Sequence, residues 1–301
     1  MYVSMKYILE DANKNNYGVI AANVINLELA RGVISAAVEE NAPLIINIGQ
    51  GQMQKHGDGE LMAQMIKTIA SKVHIPIALN LDHGSTYERV THAFRNGFSS
   101  IMIDASQHTY EENVKITKDV VKLAHSQGVT VEAELGHVGQ ANLGDNNNQS
   151  LFTDVNDAVR FVKETEVDAL AVAVGTAHGK YPKGLKPKLN FERIKEIKSA
   201  TKMPLVLHGG SDSGEDNIKK AVACGINKIN VCTDTFNGCR DFLAKRLNED
   251  PDVDFLTLMI ELESAAKEVI RPYIIMSGSS GKGSNFKYYE SENNNGMAIT
   301  E

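Results

Sequence analysis

Eight times along its 301 residues the chain alternates an apolar run of strand length with a stretch of helical spacing, and this alternation constrains its fold more than any other feature. Strands are expected at 17–23 (YGVIAAN), 43–48 (PLIINI), 77–81, 99–103, 129–135, 169–174, 204–207 and 228–231. Helices are expected at 27–39, 61–73, around Tyr87, Val90 and Phe94, then at 111–126, 155–165, 191–200 and 217–223. A glycine-containing turn, GQGQ, opens at Gly49. Strand-then-helix units with short connections build a parallel sheet. Eight such units close a barrel, although an open doubly wound sheet can also use eight strands.

The placement of polar residues separates the two architectures. Asn23, Gly49, Asp82, His83, Asp104, Glu134, His178, His208 and Asn230 lie at or just after the C-terminal ends of the strands, and all eight units contribute. An open sheet gathers its functional residues at one switch point, whereas a closed barrel brings every strand end to one mouth. The expected fold is therefore α/β, a TIM (β/α)8 barrel occupying 1–283 as one domain. After the eighth strand come a helix at 241–247, a polar link (LNEDPDVD), a long helix at 255–269 and a polar tail at 284–301 with little to bury. The stretch 139–150 (GQANLGDNNNQS) is long and polar, as expected of a loop serving as a mobile lid.

Of the nine histidines, six (His56, His74, His92, His108, His125 and His137) fall in loops, strand starts or helix surfaces, where solvation is the expected fate. The other three, His83, His178 and His208, follow the third, sixth and seventh strands. Three neutral imidazoles at one mouth make a divalent-metal site with an open position, the arrangement suited to catalytic zinc. Asp82, beside one of these histidines, is placed to work as a general acid or base; support for a ligand, or a helix cap, is its plainer role. Glycines follow two of the histidines: Gly179 after His178, and Gly209 and Gly210 before Ser211. With Asn230 and Thr233 at the end of the eighth strand, they form a candidate phosphate cradle where barrels often hold one.

The formal net charge of −7 argues against a nucleic-acid or anionic-membrane partner, because both need clustered cation. No apolar stretch approaches the ~20 residues of a membrane span, and the opening MYVSMKYILEDANKNN lacks a signal-peptide core, so a cytoplasmic location is expected. The three cysteines, Cys224, Cys232 and Cys239, lack metal-motif spacing and are expected to be reduced.

The segments LDHG, SIMIDAS, VEAELG, GTAHGKYPKG, LHGGSDSG, KINVCTD and AAKEVI…SGSSGKG, in this order, resemble the zinc-dependent class II ketose-bisphosphate aldolases. The likeness runs from about residue 7 to 282. It implies a TIM barrel, usually a homodimer or homotetramer, that cleaves a phosphosugar reversibly to dihydroxyacetone phosphate and an aldehyde without a lysine Schiff base. Residue by residue, it implies His83, His178 and His208 as zinc ligands and Asp82 as the group exchanging a proton with the C4 hydroxyl. Asp104 and Glu134 match a second or alternate metal position, and a monovalent cation is a further possibility. Gly179, Gly209, Gly210, Ser211, Asn230, Val231, Cys232 and Thr233 match the segments that hold dihydroxyacetone phosphate, and Asn23 belongs to the first motif of the family.

The chain departs from that pattern in four places. The first motif reads ANVIN, with Ile25 in place of an amide, and Gly49 stands where many relatives have Ser or Thr. The loop glutamate that moves a proton at carbon in relatives has Asn142 as its nearest counterpart, with Asp145 the only acid in the loop. Asp254 stands where relatives with a phosphorylated acceptor tend to have arginine, although Arg240 and Arg246 are near in sequence. The expected acceptor is therefore an aldehyde other than glyceraldehyde 3-phosphate. Two other functions remain compatible with these residues: a metal-dependent sugar-phosphate epimerase, which would yield no fragments, and a non-catalytic subunit that keeps the fold.

Overall fold

The computed structural model describes residues 1–139, 152–179, 181–182 and 186–286. Its strands are β1 Val19–Asn23, β2 Leu44–Gly49, β3 Ile77–Gly84, β4 Ser100–Ile103, β5 Thr130–Leu135, β6 Ala169–Val172, β7 Leu205–Leu207 and β8 Ile226–Val231. They pair in parallel and in sequence order, and β1 pairs with β8 to close the barrel. The closed architecture is the one that the polar strand ends required.

Each strand buries both faces, so the period of two sorts side chains between two interiors. Ile20, Ala22, Ile46, Leu79 and Leu81 face outward into the layer shared with the helices. Ala21, Ile45, Ala78, Ala169, Ala171 and Val206 face the barrel axis. The axial cluster is completed from below by helix α1 Met5–Asn15, which buries Met5, Ile8, Leu9 and Ala12, and by Phe286. This helix is absent from the sequence expectations, although its apolar residues at 5, 8, 9 and 12 carry helical spacing. The expected boundary between domain and tail falls inside a 3-10 turn, Lys282–Phe286, whose Phe286 is buried, and 287–301 lie outside the described residues.

The outer layer consists of α2 Leu27–Glu39, α3 Gln50–Lys55, α4 Gly59–Ala70, α5 Tyr87–Arg95, α6 Tyr110–His125, α7 Val155–Thr165, α8 Phe191–Thr201, α9 Glu215–Cys224, α10 Thr233–Glu249 and α11 Phe255–Ser277. Three of these correct the sequence reading. The segment expected to be only a turn, GQGQ, enters the short helix α3, and α10 begins at Thr233 instead of residue 241. Most of α10 is polar and it buries little beyond Thr235 and Cys239, so no apolar stripe marks its start. Helix α11 continues past its expected end at 269 and through Pro272, and its last turns bury Tyr273 and Ile274.

Helices α2 and α11 meet at Gly32. A Cβ there would lie 2.2 Å from the Glu263 carbonyl oxygen and 2.8 Å from Ala266 Cβ, so the helices must separate to admit any side chain. Gly32→Ala is expected to cost about 1–3 kcal/mol by overpacking, more than the gain in helix propensity returns. Urea unfolding of the two proteins measures it. Among the described residues no helix is long and apolar enough to cross a membrane.

Candidate active site

The mouth is built from strand ends, and the end of β3 is irregular. Leu81 pairs with Ile101 and Gly84 with Ile103, so three steps on β3 oppose two on β4. This extra residue is a β-bulge, a device that re-aims side chains. In a regular strand Asp82 and His83 would point to opposite faces. Here His83 adopts a left-handed backbone with φ of 55°, and both side chains reach the mouth. Gly84 is needed beside them, because a Cβ would lie 2.7 Å from the Met102 carbonyl oxygen.

The imidazoles of His83, His178 and His208 converge. Their ring centroids are 4.9 Å apart for His83 and His178, 4.6 Å for His83 and His208, and 5.6 Å for His178 and His208. His208 Nδ1 lies 3.0 Å from His83 Nε2, near the ~3.3 Å separation of two nitrogens on one tetrahedral zinc. The opposite nitrogens of these two rings are tied to carboxylates: His83 Nδ1 to Asp104 Oδ2 at 2.8 Å and His208 Nε2 to Glu132 Oε1 at 2.9 Å. Carboxylates behind imidazoles fix the tautomer and aim the free nitrogen, as metal-binding histidines require. The donor set thus fits a divalent cation with an open coordination position. His83, Asp104 and Glu134 form a second convergent group, in which Glu134 Oε2 is buried without a hydrogen-bond partner among the described residues.

Charge is balanced locally. Lys228 Nζ, fully buried inside the barrel, lies 2.7 Å from Glu132 Oε2, so this carboxylate bridges a cation and His208. Burial alone would raise the Glu132 pKa, but Lys228 and His208 hold it below the ordinary carboxylate range. Glu134 goes the other way, raised by burial and by Asp104. Burial would lower the His83 pKa, but Asp82 and the Asp104 bond outweigh it and lift it to about 9. Burial and the two other imidazoles push His178 down to about 3.

Asp82 sits beside this centre. Asn23 Nδ2 donates to its Oδ2 at 2.9 Å and Asn230 Nδ2 to its Oδ1 at 3.1 Å. Burial opposes ionisation, but His83, His208 and Lys228, with the Asn23 bond, keep its pKa below the usual value. An ionised carboxylate held by two amides can accept a proton without first moving.

A cavity of about 620 Å³ opens over these groups. Asn23, Asp82, His83, His178, Gly179, Gly209, Ser211, Asn230, Cys232 and Thr233 all line it. Ser211 Oγ accepts from the Cys232 and Asp234 N–H groups at the start of α10, leaving its own proton to donate. Cys232, the N-cap of α10, makes no side-chain capping bond, and burial with Asp82 nearby raises its thiol pKa to about 12. Five of the expected residues stand back from the cavity, among them His208, which is fully buried against His83 and Glu132. Val231 packs outward in the core, and Gly210 is closed in by Ile229 and Asn230. Asp104 and Glu134 lie behind the imidazoles, where Ser106 bonds Asp104 and the Val138 N–H bonds Glu134.

Gln50, Gln52, Lys55, His56 and Phe236 also line the cavity, and sequence reasoning passed over all five. His56, expected simply on the surface, is exposed at the cavity edge because α3 carries it there. Arg240 and Arg246 do not line the cavity. Arg240 pairs with Asp241, Arg246 with Glu261 and Asp250, while Asp254 caps α11. Asn142 and Asp145 lie outside the described residues, as does most of the expected 139–150 lid.

Comparison with known proteins agrees with this geometry. Residues 3–282 match the family "Fructose-bisphosphate aldolase class-II". The chain is 38% identical to the fructose-bisphosphate aldolase of Helicobacter pylori, over 94% of this chain and 100% of that protein. It is also 38% identical to that of Geobacillus stearothermophilus, over 93% and 98%. Among solved structures, the YdjI aldolase of Escherichia coli K12 superposes with a TM-score of 0.84 at 36% identity, covering 94% of this chain and 100% of that one. A putative fructose-1,6-biphosphate aldolase of Coccidioides immitis gives 0.81 at 28% identity, over 92% and 97%. The chain belongs to the class-II fructose-bisphosphate aldolase family, the metal-dependent carbon–carbon lyases.

Proposed function

We propose that this enzyme holds zinc through His83, His178 and His208 and reversibly cleaves a ketose 1-phosphate or 1,6-bisphosphate to dihydroxyacetone phosphate and an aldehyde. The observation that carries the reading is the convergence of three imidazoles beside an ionised aspartate, with Asp82, His83 and His178 lining one cavity. When bound, the ion supplies Lewis-acid stabilisation of negative charge on substrate oxygen, worth several kcal/mol. Asp104 and Glu132 orient the imidazoles through their outer nitrogens. Asp82 takes the C4 hydroxyl proton as the C3–C4 bond breaks; C4 becomes the aldehyde carbonyl, and the electron pair stays with the three-carbon fragment. Asn23 and Asn230 hold the carboxylate in place for that transfer.

The substrate phosphate is assigned to Gly179, Gly209, Ser211, Cys232 and Thr233, where the start of α10 supplies a favourable dipole and its N–H bonds to Ser211 Oγ leave that hydroxyl's proton free to donate. With Arg240 and Arg246 engaged elsewhere, the acceptor aldehyde is one other than glyceraldehyde 3-phosphate. A cleavage panel in which fructose 1,6-bisphosphate is by far the best substrate would reject that choice. A homodimer or homotetramer in the cytoplasm is the setting that family membership supports.

The deciding experiment follows exchange of the C3 hydroxymethyl proton of dihydroxyacetone phosphate by NMR in deuterium oxide. Zinc-loaded enzyme is expected to exchange it, and a chelator to stop the exchange. Absence of both exchange and ketose-phosphate cleavage in zinc-loaded protein would overturn the proposal.

A further inference from the structure

The end of β2 lies beside the proposed proton acceptor, since Gly49 is the register partner of Asp82, yet it carries no side chain. The space is not vacant. A Cβ on Gly49 would lie 3.2 Å from both Cδ and Oε1 of Gln52 and 3.6 Å from its Nε2. The Gln52 amide, folded back from the first turn of α3, thus occupies the place that a side chain at position 49 would take.

Its orientation is set by the backbone. Gly49 N–H donates to Gln52 Oε1 at 2.8 Å, which identifies the oxygen end of the amide. Asn23 Nδ2, which holds Asp82, lies 3.5 Å from the same oxygen. The oxygen is therefore used in shaping the mouth. The nitrogen is not used in the same way: among the described residues it donates only to Cys232 Sγ, at 3.7 Å, and a thiol is a weak acceptor. Two strong N–H donors are thus carried on a half-buried side chain that lines the cavity between Asp82 and the start of α10.

We infer that Gln52 is a substrate-binding and specificity residue, donating from Nε2 to a hydroxyl or carbonyl oxygen of the sugar phosphate in the position left open by Gly49. The assignment rests on the aldolase reading above. A bond of this kind discriminates strongly, because a substrate lacking the matching oxygen leaves a buried donor unpaired.

Four variants test it: Gln52→Ala, the near-isosteric Gln52→Met, Gly49→Ser, and the double Gly49→Ser/Gln52→Ala, each assayed for kcat/KM on a ketose-phosphate panel and for bound zinc. Both Gln52 variants are expected to lose about 10–100-fold in kcat/KM on the best substrate with zinc content intact. The double variant is expected to regain at least tenfold of that loss, because the introduced serine returns a hydroxyl to the vacated place. Gly49→Ser alone should give no gain, since its Cβ crowds the amide. Gln52 variants within twofold of wild type, loss of zinc in both, or a double variant no better than Gln52→Ala would each overturn the inference. Inactivity of the wild-type enzyme across the panel and in proton exchange would instead count against the aldolase reading.

Discussion

Asp82→Asn is expected to lower turnover of the best ketose phosphate by about 10²–10⁴-fold, the usual contribution of a positioned acid–base group. An amide cannot take the C4 hydroxyl proton, so the loss should fall on kcat. The fold should tolerate the change. Two donors face the carboxylate, and an amide nitrogen at position 82 would oppose one of them, but Asn23 Oδ1 and Asn230 Oδ1 are both buried without partners among the described residues. Rotation of either amide would restore a donor–acceptor pair. Turnover within tenfold of wild type, with zinc content and unfolding midpoint unchanged, would remove Asp82 from the chemistry.

The second large effect concerns stability. Lys228→Met strands Glu132 at the barrel centre without its cation, where both side chains have no exposure. Breaking a buried pair in this way costs about 3–5 kcal/mol, because one charge stays desolvated. Glu132, which orients His208, loses its anchor, so affinity for the proposed zinc should fall, by no more than the about 10–100-fold that removing a support behind a metal ligand costs. Urea denaturation and competitive zinc titration read the two effects separately. If stranded charge is the cause, Glu132→Gln added to Lys228→Met should recover part of the stability. A loss below about 1 kcal/mol for Lys228→Met would show that water or a neighbour replaces the ammonium.

The sequence alone makes the barrel legible because eight apolar runs carry a polar residue or, in the second, Gly49 at or just after the same end, and only a ring of strands uses all eight. His83, His178 and His208 are legible for the same reason. Lys228 is harder to read: as a cation within an apolar strand it gives no hint of facing the axis until Glu132 is seen opposite. Gln52 is harder still, since its importance depends on the backbone of α3 folding it over Gly49. The start of α10 escaped because polar helices at a ligand-binding mouth have no apolar stripe to announce them. Local pattern reveals what is buried against helices, whereas the functional mouth is polar, and its contacts join residues as far apart as 23 and 82 or 82 and 230.

The bulge at the end of β3 has a consequence for anyone transplanting this chemistry. Grafted onto an ideal strand, the two-residue pair Asp82-His83 would send its acid to the axis and its imidazole into the helices, and the motif would be present but inert. The portable unit is at least Leu81 to Gly84, together with the stagger against Ile101 and Ile103 that lets adjacent residues share one direction. Deleting either residue between Leu81 and Gly84 would even out that pairing only by removing Asp82 or His83 itself, so the stagger and the chemistry cannot be separated.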